Sequence, residues 1–408
     1  MATNNNDKTL NVPHLRFPEF TGEWKKVLLG QIANITKGNG ISKEQLSDQG
    51  TPCILYGELY TKYKSEIINE IYSKTALNSS SLVKSQANDV IIPCSGETAI
   101  DISTARCVPY NNILLGGDLN IIRLKSQDGG FFAYQLNGVR KHDIARIAQG
   151  VSVVHLYGEN LKKIKVFYPS IEEQRKITSL LSLIDERIAT QNKIIEKYES
   201  LIQAMCDTLI ESELCKVGLS FSDFGESYSG LSGKSAEDFG EGCPYITYMN
   251  VNQNQIIDTT NVGLVKINEA EQQSVVRYGD ILFTLSSETP EEVGMGAVYL
   301  GKTYPLYLNS FCFGVHIIDE SKIFPPFLAY YISTQSFRKA VYPLAQGSTR
   351  FNLQKSDFMK KVFPFPIAER QNKIYSVLKT YSDKLSAEKS IAKLFCEQKN
   401  YLLRQLFI

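Results

Sequence analysis

The sequence predicts an α/β (α+β) fold in which two tandem mixed α/β domains are each followed by a long helix. Two observations lead to this prediction: an internal repeat of about 200 residues, and an apolar heptad pattern that occurs once in each copy of the repeat. The chain has 408 residues, of which 43% are apolar and 21% are charged. This composition is typical of a globular protein too long for a single core, and it excludes a fibrous or disordered chain.

The repeat is clearest where residues 148–177 align without a gap on residues 345–374, at a constant offset of 197. Ten of the thirty aligned positions are identical, including the AQG triplets that begin both segments. Weaker similarity is found upstream, between residues 50–59 and 241–250 and between residues 88–98 and 279–289. The chain is therefore a tandem duplication of one unit.

Each copy begins with a globular part and continues into a helical part. The globular part has short β-branched and aromatic runs interrupted by Gly, Asn and Pro, a pattern typical of short strands in a mixed α/β domain. The helical part begins after a proline and continues for about 40 residues without Pro or Gly, which corresponds to a helix about 60 Å long.

The two predicted helices carry the same seam of residues, spaced alternately by four and three positions. The first ten seam positions of the two copies, five from each, are Ile177, Leu181, Ile184, Ile188 and Gln191, and Ile374, Leu378, Tyr381, Leu385 and Glu388. A long apolar stripe must be buried, so the helices either pack on each other as a coiled coil or pack on their own globular domains. The coiled coil is the simpler solution, and the matched polar positions Gln191 and Glu388 would then fix its register.

Charge and targeting patterns restrict where the protein works. Lys and Arg total 44 against 43 Asp and Glu, so the net charge of +1 provides no bulk attraction to nucleic acid or membrane lipid. No run approaches the length of a membrane-spanning helix, and residues 1–13 lack the layout of a signal peptide. The eight cysteines are widely spaced and form no metal-binding motif. We expect a cytoplasmic protein with reduced thiols, no metal and no membrane association.

One segment matches a nucleotide-binding motif in its letters only. GAVYLGKT (296–303) fits the phosphate-loop pattern, which requires a strand before it and a helix after it. Pro305 follows two residues later and would interrupt such a helix, and the variable positions favour a strand. We therefore predict no nucleotide site and no cofactor here.

No catalytic constellation is found elsewhere. IFPPF (323–327) has a phenylalanine, Phe324, where an amino-methyltransferase needs a hydrogen-bonding side chain. The four histidines are scattered, and none is paired in sequence with a nucleophile or metal ligand. The sequence therefore predicts a protein that is not itself an enzyme. The duplicated polar loops AQGVSVVH and AQGSTRFN are either structural turns or DNA-contacting loops, and the motif alone does not separate the two.

Taken together, several segments resemble the specificity (S) subunits of Type I restriction-modification systems. They are LRFPEFTGEW (15–24), the AQG loops, the starts PSIEEQRKI and PIAERQNKI, and the two-copy plan. The resemblance implies two target-recognition domains that read the halves of a bipartite double-stranded DNA target. It also implies an antiparallel coiled coil with pseudo-twofold symmetry that sets the spacer and docks two modification (methyltransferase) subunits, through which restriction subunits attach. A non-DNA coiled-coil scaffold that binds protein is the alternative.

Domain boundaries and candidate readers complete the expectations. The predicted segments are an N-terminal segment 1–23, target-recognition domain 24–168, first helix 169–215, target-recognition domain 216–365 and second helix 366–408. The candidate DNA-binding residues are polar side chains in matched loops: Lys37, Lys43, Ser95, Glu97, Arg106, Gln149, Ser152 and His155, then Lys234, Ser286, Ser287, Gln346, Ser348, Thr349, Arg350 and Asn352. Arg350 is the strongest candidate, since arginine makes bidentate contacts to guanine or phosphate. In the seam, Glu388 and Lys399 are expected to weaken a simple apolar zipper.

Overall fold

The computed structural model describes residues 10–268 and 270–408 and divides into two compact units. The first unit extends to Asn192 and also contains Ser390–Ile408; the second comprises Lys193–Lys389. Residues 1–9 of the predicted N-terminal segment lie outside the described part. Within that part, no helix is both long and apolar enough to cross a membrane.

Among its described residues, the first unit contains twelve strands and six short α-helices. The strands are β1 Lys25–Leu28, β2 Ala33–Lys37, β3 Leu46–Ser47, β4 Thr51–Ile54, β5 Ser73–Thr75, β6 Asp89–Pro93, β7 Ser95–Gly96, β8 Arg106–Val108, β9 Leu114–Leu115, β10 Leu119–Leu124, β11 Val154–His155 and β12 Lys165–Tyr168. The helices are α1 Leu29–Ile32, α2 Glu58–Thr61, α3 Ala99–Ile102, α4 Gly129–Asn137, α5 Lys141–Ile147 and α6 Gly158–Leu161, and the long helix α7 Ile171–Glu211 follows.

The second unit follows the same plan. Its strands are β13 Lys216–Ser220, β14 Gly225–Ser229, β15 Phe239–Ile246, β16 Gly263–Val265, β17 Ile281–Thr284, β18 Ser286–Ser287, β19 Gly296–Val298, β20 Tyr307–Leu308, β21 Cys312–Ile317, β22 Ala345–Gln346, β23 Phe351–Leu353 and β24 Val362–Pro366. Its helices are α8 Tyr248–Gln253, α9 Pro325–Tyr331, α10 Gln335–Val341 and α11 Lys355–Lys360, followed by the long helix α12 Ala368–Gln405.

The sheets reveal the duplication directly. The central sheet of the first unit is antiparallel with strand order β2-β10-β6-β8, and that of the second is antiparallel with order β14-β21-β17-β19. A second sheet in each unit contains one parallel pair, β4 with β9 and β15 with β20. The predicted mixed α/β fold with two equivalent domains is confirmed.

A buried glutamine fixes the start of each long helix. Gln174 donates its side-chain amide to the Pro169 carbonyl (3.0 Å), and Gln371 donates to the Pro366 carbonyl (2.7 Å). Both glutamines are fully buried. The Pro-x-x-Glu-x-Gln pattern therefore has a structural role: its glutamine links the first helical turn to the proline that precedes the helix.

An ion pair near this glutamine is present in both units, but the acidic and the basic residue have exchanged positions. Arg16 Nη2 lies 2.7 Å from Glu173 Oε2 in the first unit, and Arg370 Nε lies 2.8 Å from Glu213 Oε2 in the second. The two partners of each pair stand at the repeat offset of 197 from those of the other. Arg16 of the N-terminal segment thus occupies the place that Glu213, just after the end of α7, occupies in the second unit.

Residues of both long helices contribute to the core of each unit. In the first unit, Ile177 and Leu181 of α7 share a core with Leu403 and Leu406 of α12. In the second unit, the core contains Ile202, Cys206 and Ile210 of α7 with Ile374 and Leu378 of α12. All ten seam residues named from the sequence are buried or half-buried. The two predicted long helices are confirmed, whereas the predicted domain boundaries remain predictions.

The segment that matches a phosphate loop has no helix after it. Gly296–Val298 forms β19, and the next regular element is the strand Tyr307–Leu308. The Tyr299 hydroxyl donates to the Thr303 carbonyl (3.0 Å), which closes the intervening segment on itself. This part of the chain therefore lacks the helix N-terminus that a phosphate loop requires.

Candidate nucleic-acid interface

The AQG segment of the first unit closes a tight hairpin. Gln149 and His155 exchange both backbone hydrogen bonds, at 2.9 and 2.7 Å, and His155 pairs on its other side with Ser95 of β7. Gly150 has φ +127°, and a Cβ there would collide with the carbonyl oxygen of Val153. Only glycine fits such a turn without strain.

The second unit builds the same hairpin from equivalent residues. Gln346 pairs with Asn352, and Asn352 pairs on its other side with Ser286 of β18. Gly347 has φ +147°, and a Cβ there would collide with the carbonyl oxygen of Arg350. Both AQG segments are therefore tight turns, and such a turn leaves the side chains at its tip in solvent, where they remain accessible to a ligand.

The two hairpin tips carry different chemistry. In the first unit, Val151 is 97% exposed and Val153 is 53% exposed, with the exposed Ser152 between them. In the second unit, Ser348, Thr349 and Arg350 are exposed. At the repeat offset of 197, the equivalent tip residues are Val151/Ser348, Ser152/Thr349 and Val153/Arg350. One tip is thus apolar, and the other presents hydroxyls and a cation.

Arg350 lies at the edge of a small depression. Its guanidinium carbon is 5.0 Å from the centre of the Phe311 ring, a cation–π contact that orients the guanidinium. The depression, about 310 Å³, is also lined by Tyr248 and Glu288. The Tyr248 hydroxyl is buried and has no hydrogen-bond partner among the described residues. A buried hydroxyl without a partner is uncommon, and here it lies beside the strongest candidate reader.

Most of the predicted readers lie on or beside the two hairpins. The exposed ones are Glu97, Gln149, Ser152 and His155 in the first unit and Gln346, Ser348, Thr349, Arg350 and Asn352 in the second. Lys37 is exposed at the end of β2, close enough to act electrostatically on Cys94, which precedes β7. Lys43 instead lines a separate depression of about 590 Å³ together with Tyr56.

Two predicted readers have enclosed side chains, and these predictions must be corrected. Arg106 is 8% exposed, and its guanidinium donates to the carbonyls of Leu59 (3.1 Å) and Tyr63 (2.9 Å). The Lys234 side chain is 4% exposed, with its ammonium 2.5 Å from Glu271. Neither cation is available to DNA in this structure, because each is enclosed and already paired.

Three predicted serines are also buried, and they are part of the scaffold beneath the hairpins. Ser95 and Ser286 pair with the hairpin strands through their backbones. The Ser287 hydroxyl donates to Glu292 (2.6 Å). These residues support the hairpins, and Ser286 and Ser287 also line the depression beside Arg350.

The prediction from sequence leaves out the apolar and aromatic residues at and beside the two hairpin tips. That prediction names only polar loop residues, so it does not include Val151 and Val153. Tyr248 lies in the segment 241–250, which resembles residues 50–59 of the first copy. This similarity marks the segment in the sequence. Nothing in the sequence brings Phe311 next to Arg350, because the contact joins residues that are distant along the chain.

Comparison with known proteins agrees with this architecture. The family model described as the Type I restriction modification DNA specificity domain matches residues 21–200 and 221–394, once in each copy of the repeat. The Type I restriction enzyme MjaVIII specificity subunit of Methanocaldococcus jannaschii is 22% identical over 390 residues, covering 90% of this chain and 87% of the relative.

Solved structures show the same fold. The S subunit of the Type I restriction-modification system of M. genitalium has a TM-score of 0.58 at 18% identity, covering 97% of this chain and 99% of that one. A chain from a study of assembly and conformational transition of a type I system has a TM-score of 0.57 at 15% identity, covering 94% and 97%. With two matched domains that span most of its length, the chain belongs to the family of Type I restriction-modification DNA specificity subunits.

Proposed function

We propose that each unit reads one half of a bipartite DNA target, and that the hairpin of each unit inserts its tip against the bases. The observation that carries this proposal is the pair of equivalent hairpins, Gln149–His155 and Gln346–Asn352, which keep one backbone geometry and differ at their tips. A scaffold needs no variation at these positions, whereas two readers of different half-sites do.

Each tip has side chains suited to a major-groove contact. In the second unit, Arg350 can donate two hydrogen bonds to the O6 and N7 atoms of guanine, the commonest specific contact of arginine. Its stacking on Phe311 reduces the freedom that would be lost on binding. In the first unit, Val151 and Val153 suit the thymine methyl group, which is read by apolar contact.

The helices α7 and α12 have a separate proposed role. We infer that they pair as an antiparallel coiled coil, set the spacer between the half-sites and dock two modification subunits. The contribution of both helices to the core of each unit supports this pairing. The net charge of +1 is low for a protein that binds DNA alone, so the partner subunits would supply much of the phosphate contact in the cytoplasm. The chain itself would be non-catalytic.

A domain exchange tests the reader assignment. Residues 216–365 are replaced by the equivalent domain of a relative, and the chimera is expressed with its modification subunit in a host whose methylated adenines are then mapped. We expect one half of the methylated sequence to change and the other half and the spacer to persist. A change in both halves, or in neither, would contradict the two-reader model.

A further inference from the structure

A cluster of four charged residues, the quartet, is enclosed in the first unit beneath α4 and the long helices. The Lys399 ammonium lies 2.5 Å from Glu66 Oε2 and 2.6 Å from Asp185 Oδ1. Tyr134, on α4, donates its hydroxyl to Asp185 Oδ2 (2.7 Å). Arg106 is the fourth charged residue of the quartet, after Lys399, Glu66 and Asp185. The charges of Glu66 and Asp185 act on its guanidinium. Both carboxylate residues and Arg106 are buried.

The quartet is balanced, with two cations and two carboxylates. Burial raises the pKa of Asp185, and the neighbouring charge of Glu66 raises it further. Burial by itself would lower the pKa of Lys399, but the carboxylates of Glu66 and Asp185 outweigh that effect and raise its pKa. Lys399 therefore stays protonated, and its removal would leave the enclosed carboxylates with too little positive charge. This is the physical role of the seam lysine that the sequence presents as a weak point of the zipper.

The second unit has a neutral residue at each equivalent place. The Cys107 amide donates to the Glu66 carbonyl (2.7 Å), and the Val298 amide donates to the Gln255 carbonyl (3.0 Å), which makes Glu66 and Gln255 equivalent. Tyr134 donates to Asp185, and Tyr330 donates to Ser382 (2.9 Å). The complete set of equivalent residues is Glu66/Gln255, Arg106/Ala297, Asp185/Ser382, Lys399/Ile202 and Tyr134/Tyr330.

All four charges are thus present in one unit and absent from the other as a set. We propose that the quartet determines which helix segment completes each unit, and that it thereby prevents two copies of this chain from associating through like helices. In such a dimer, α7 would pair with α7 of the second copy, and α12 with α12. Residues 193–211 would then take the place of residues 390–408 in the first unit.

Like-with-like pairing would mismatch both kinds of unit. The first unit would receive Ile202 where it needs Lys399, which leaves Glu66 and Asp185 enclosed without that cation. The second unit would receive Lys399 opposite Ser382, which leaves a buried ammonium without a carboxylate. An unpaired buried charge is strongly unfavourable, whereas a neutral set on both sides carries no such penalty. The quartet therefore gives the two otherwise equivalent units different requirements.

The experiment uses the full-length chain carrying either of two affinity tags. The two tagged forms are mixed in urea, refolded together, and the mixed-tag dimer is quantified by native mass spectrometry. We expect monomers from the natural chain. The variant Glu66→Gln, Arg106→Ala, Asp185→Ser, Lys399→Ile makes both units neutral, and we expect its dimer-forming constant to rise at least about tenfold. The control Lys389→Gln removes an exposed pair with Glu199 in the second unit and should leave the monomer unchanged.

A second variant removes the discrimination without altering the first unit. Ile202→Lys with Ser382→Asp gives the second unit the central lysine–aspartate pair, with Tyr330 placed to donate to the new carboxylate as Tyr134 does to Asp185. Either helix segment then satisfies either unit, and mixed-tag dimers should again increase. If folded samples of this variant, verified by circular dichroism, dimerise no more than the natural chain, the proposal is overturned. Failure of the double variant to fold would contradict it as well, since the second unit could not then accept the pair.

Discussion

The two units share one backbone plan and differ both at the surface and in the interior. At the surface, the hairpin of the first unit ends in Val151 and Val153 while that of the second ends in Arg350. In the interior, the first unit encloses Lys399 between carboxylates while the second has Ile202 at the same place. Residues that the backbone geometry requires, such as Gly150 and Gly347, are the same in both units. Residues whose partners differ are different in the two units.

The largest expected effect comes from the interior difference. Lys399→Met should lower the free energy of unfolding by about 3–5 kcal/mol, because it leaves buried carboxylates without their nearest cation. Urea denaturation of the purified chain measures this loss. The matched control Lys389→Met disrupts an exposed ion pair of the second unit and should cost at most about 1 kcal/mol. Equal losses from the two substitutions would remove the distinction between the units.

The same substitution should change how stability depends on pH. Lys399 lowers the pKa of Asp185, so its removal raises a pKa that burial and Glu66 already raise. A carboxyl group whose pKa is higher in the folded than in the unfolded state contributes stability below the unfolded value and loses it as pH rises through the folded value. The deficit of Lys399→Met should therefore shrink as the pH falls towards the unfolded-state pKa of an aspartate. A deficit independent of pH would argue against enclosed, charged carboxylates in the variant.

Displacing a hairpin tip should have the next largest effect. Gly347→Ala forces a Cβ against the Arg350 carbonyl at φ +147°, with a strain of about 1–3 kcal/mol that is relieved by moving the tip. We expect the assembled complex to lose recognition of the second half-site, and Gly150→Ala to affect the first half-site instead. Gly233→Ala, at φ +66° with open space around its Cβ, is the control for strain alone. Binding of target and altered duplexes measures the effect, and unchanged affinity in both hairpin variants would exclude the tips.

Changing single tip side chains should produce a smaller and more selective effect. Arg350→Ala should weaken binding by about 1–3 kcal/mol and relax one base pair of the second half-site, whereas Val153→Ala should affect only the first half-site. A panel of duplexes with single substitutions distinguishes these outcomes. Uniform weakening on all duplexes by Arg350→Ala would instead assign that arginine to a phosphate.

The smallest expected effect is that of Lys302→Ala. This exposed lysine belongs to the phosphate-loop match, which lacks the required helix. DNA recognition and complex-dependent methylation should remain within error of the natural chain. ATP binding by the purified chain that disappears with this substitution would contradict the assignment.

The sequence alone determined the duplication, the two long helices and the mixed α/β class. Those features depend on the local periodicity of the sequence and on residues such as Gly150 and Gly347. A turn with positive φ requires glycine whatever its tertiary surroundings. It also marked the AQG segments, because a repeated glycine beside polar residues signals a special backbone conformation.

Tertiary structure alone decided the burial and partners of the charged residues. Arg106 and Lys234 look like DNA contacts in the sequence, and only packing shows that each is enclosed. In the sequence, Lys399 only interrupts an apolar heptad pattern. In the structure it pairs with Glu66, a residue more than 300 positions away. The free energy of a charge depends on its solvent exposure and on its neighbours in space, and neither is encoded in the order of nearby residues.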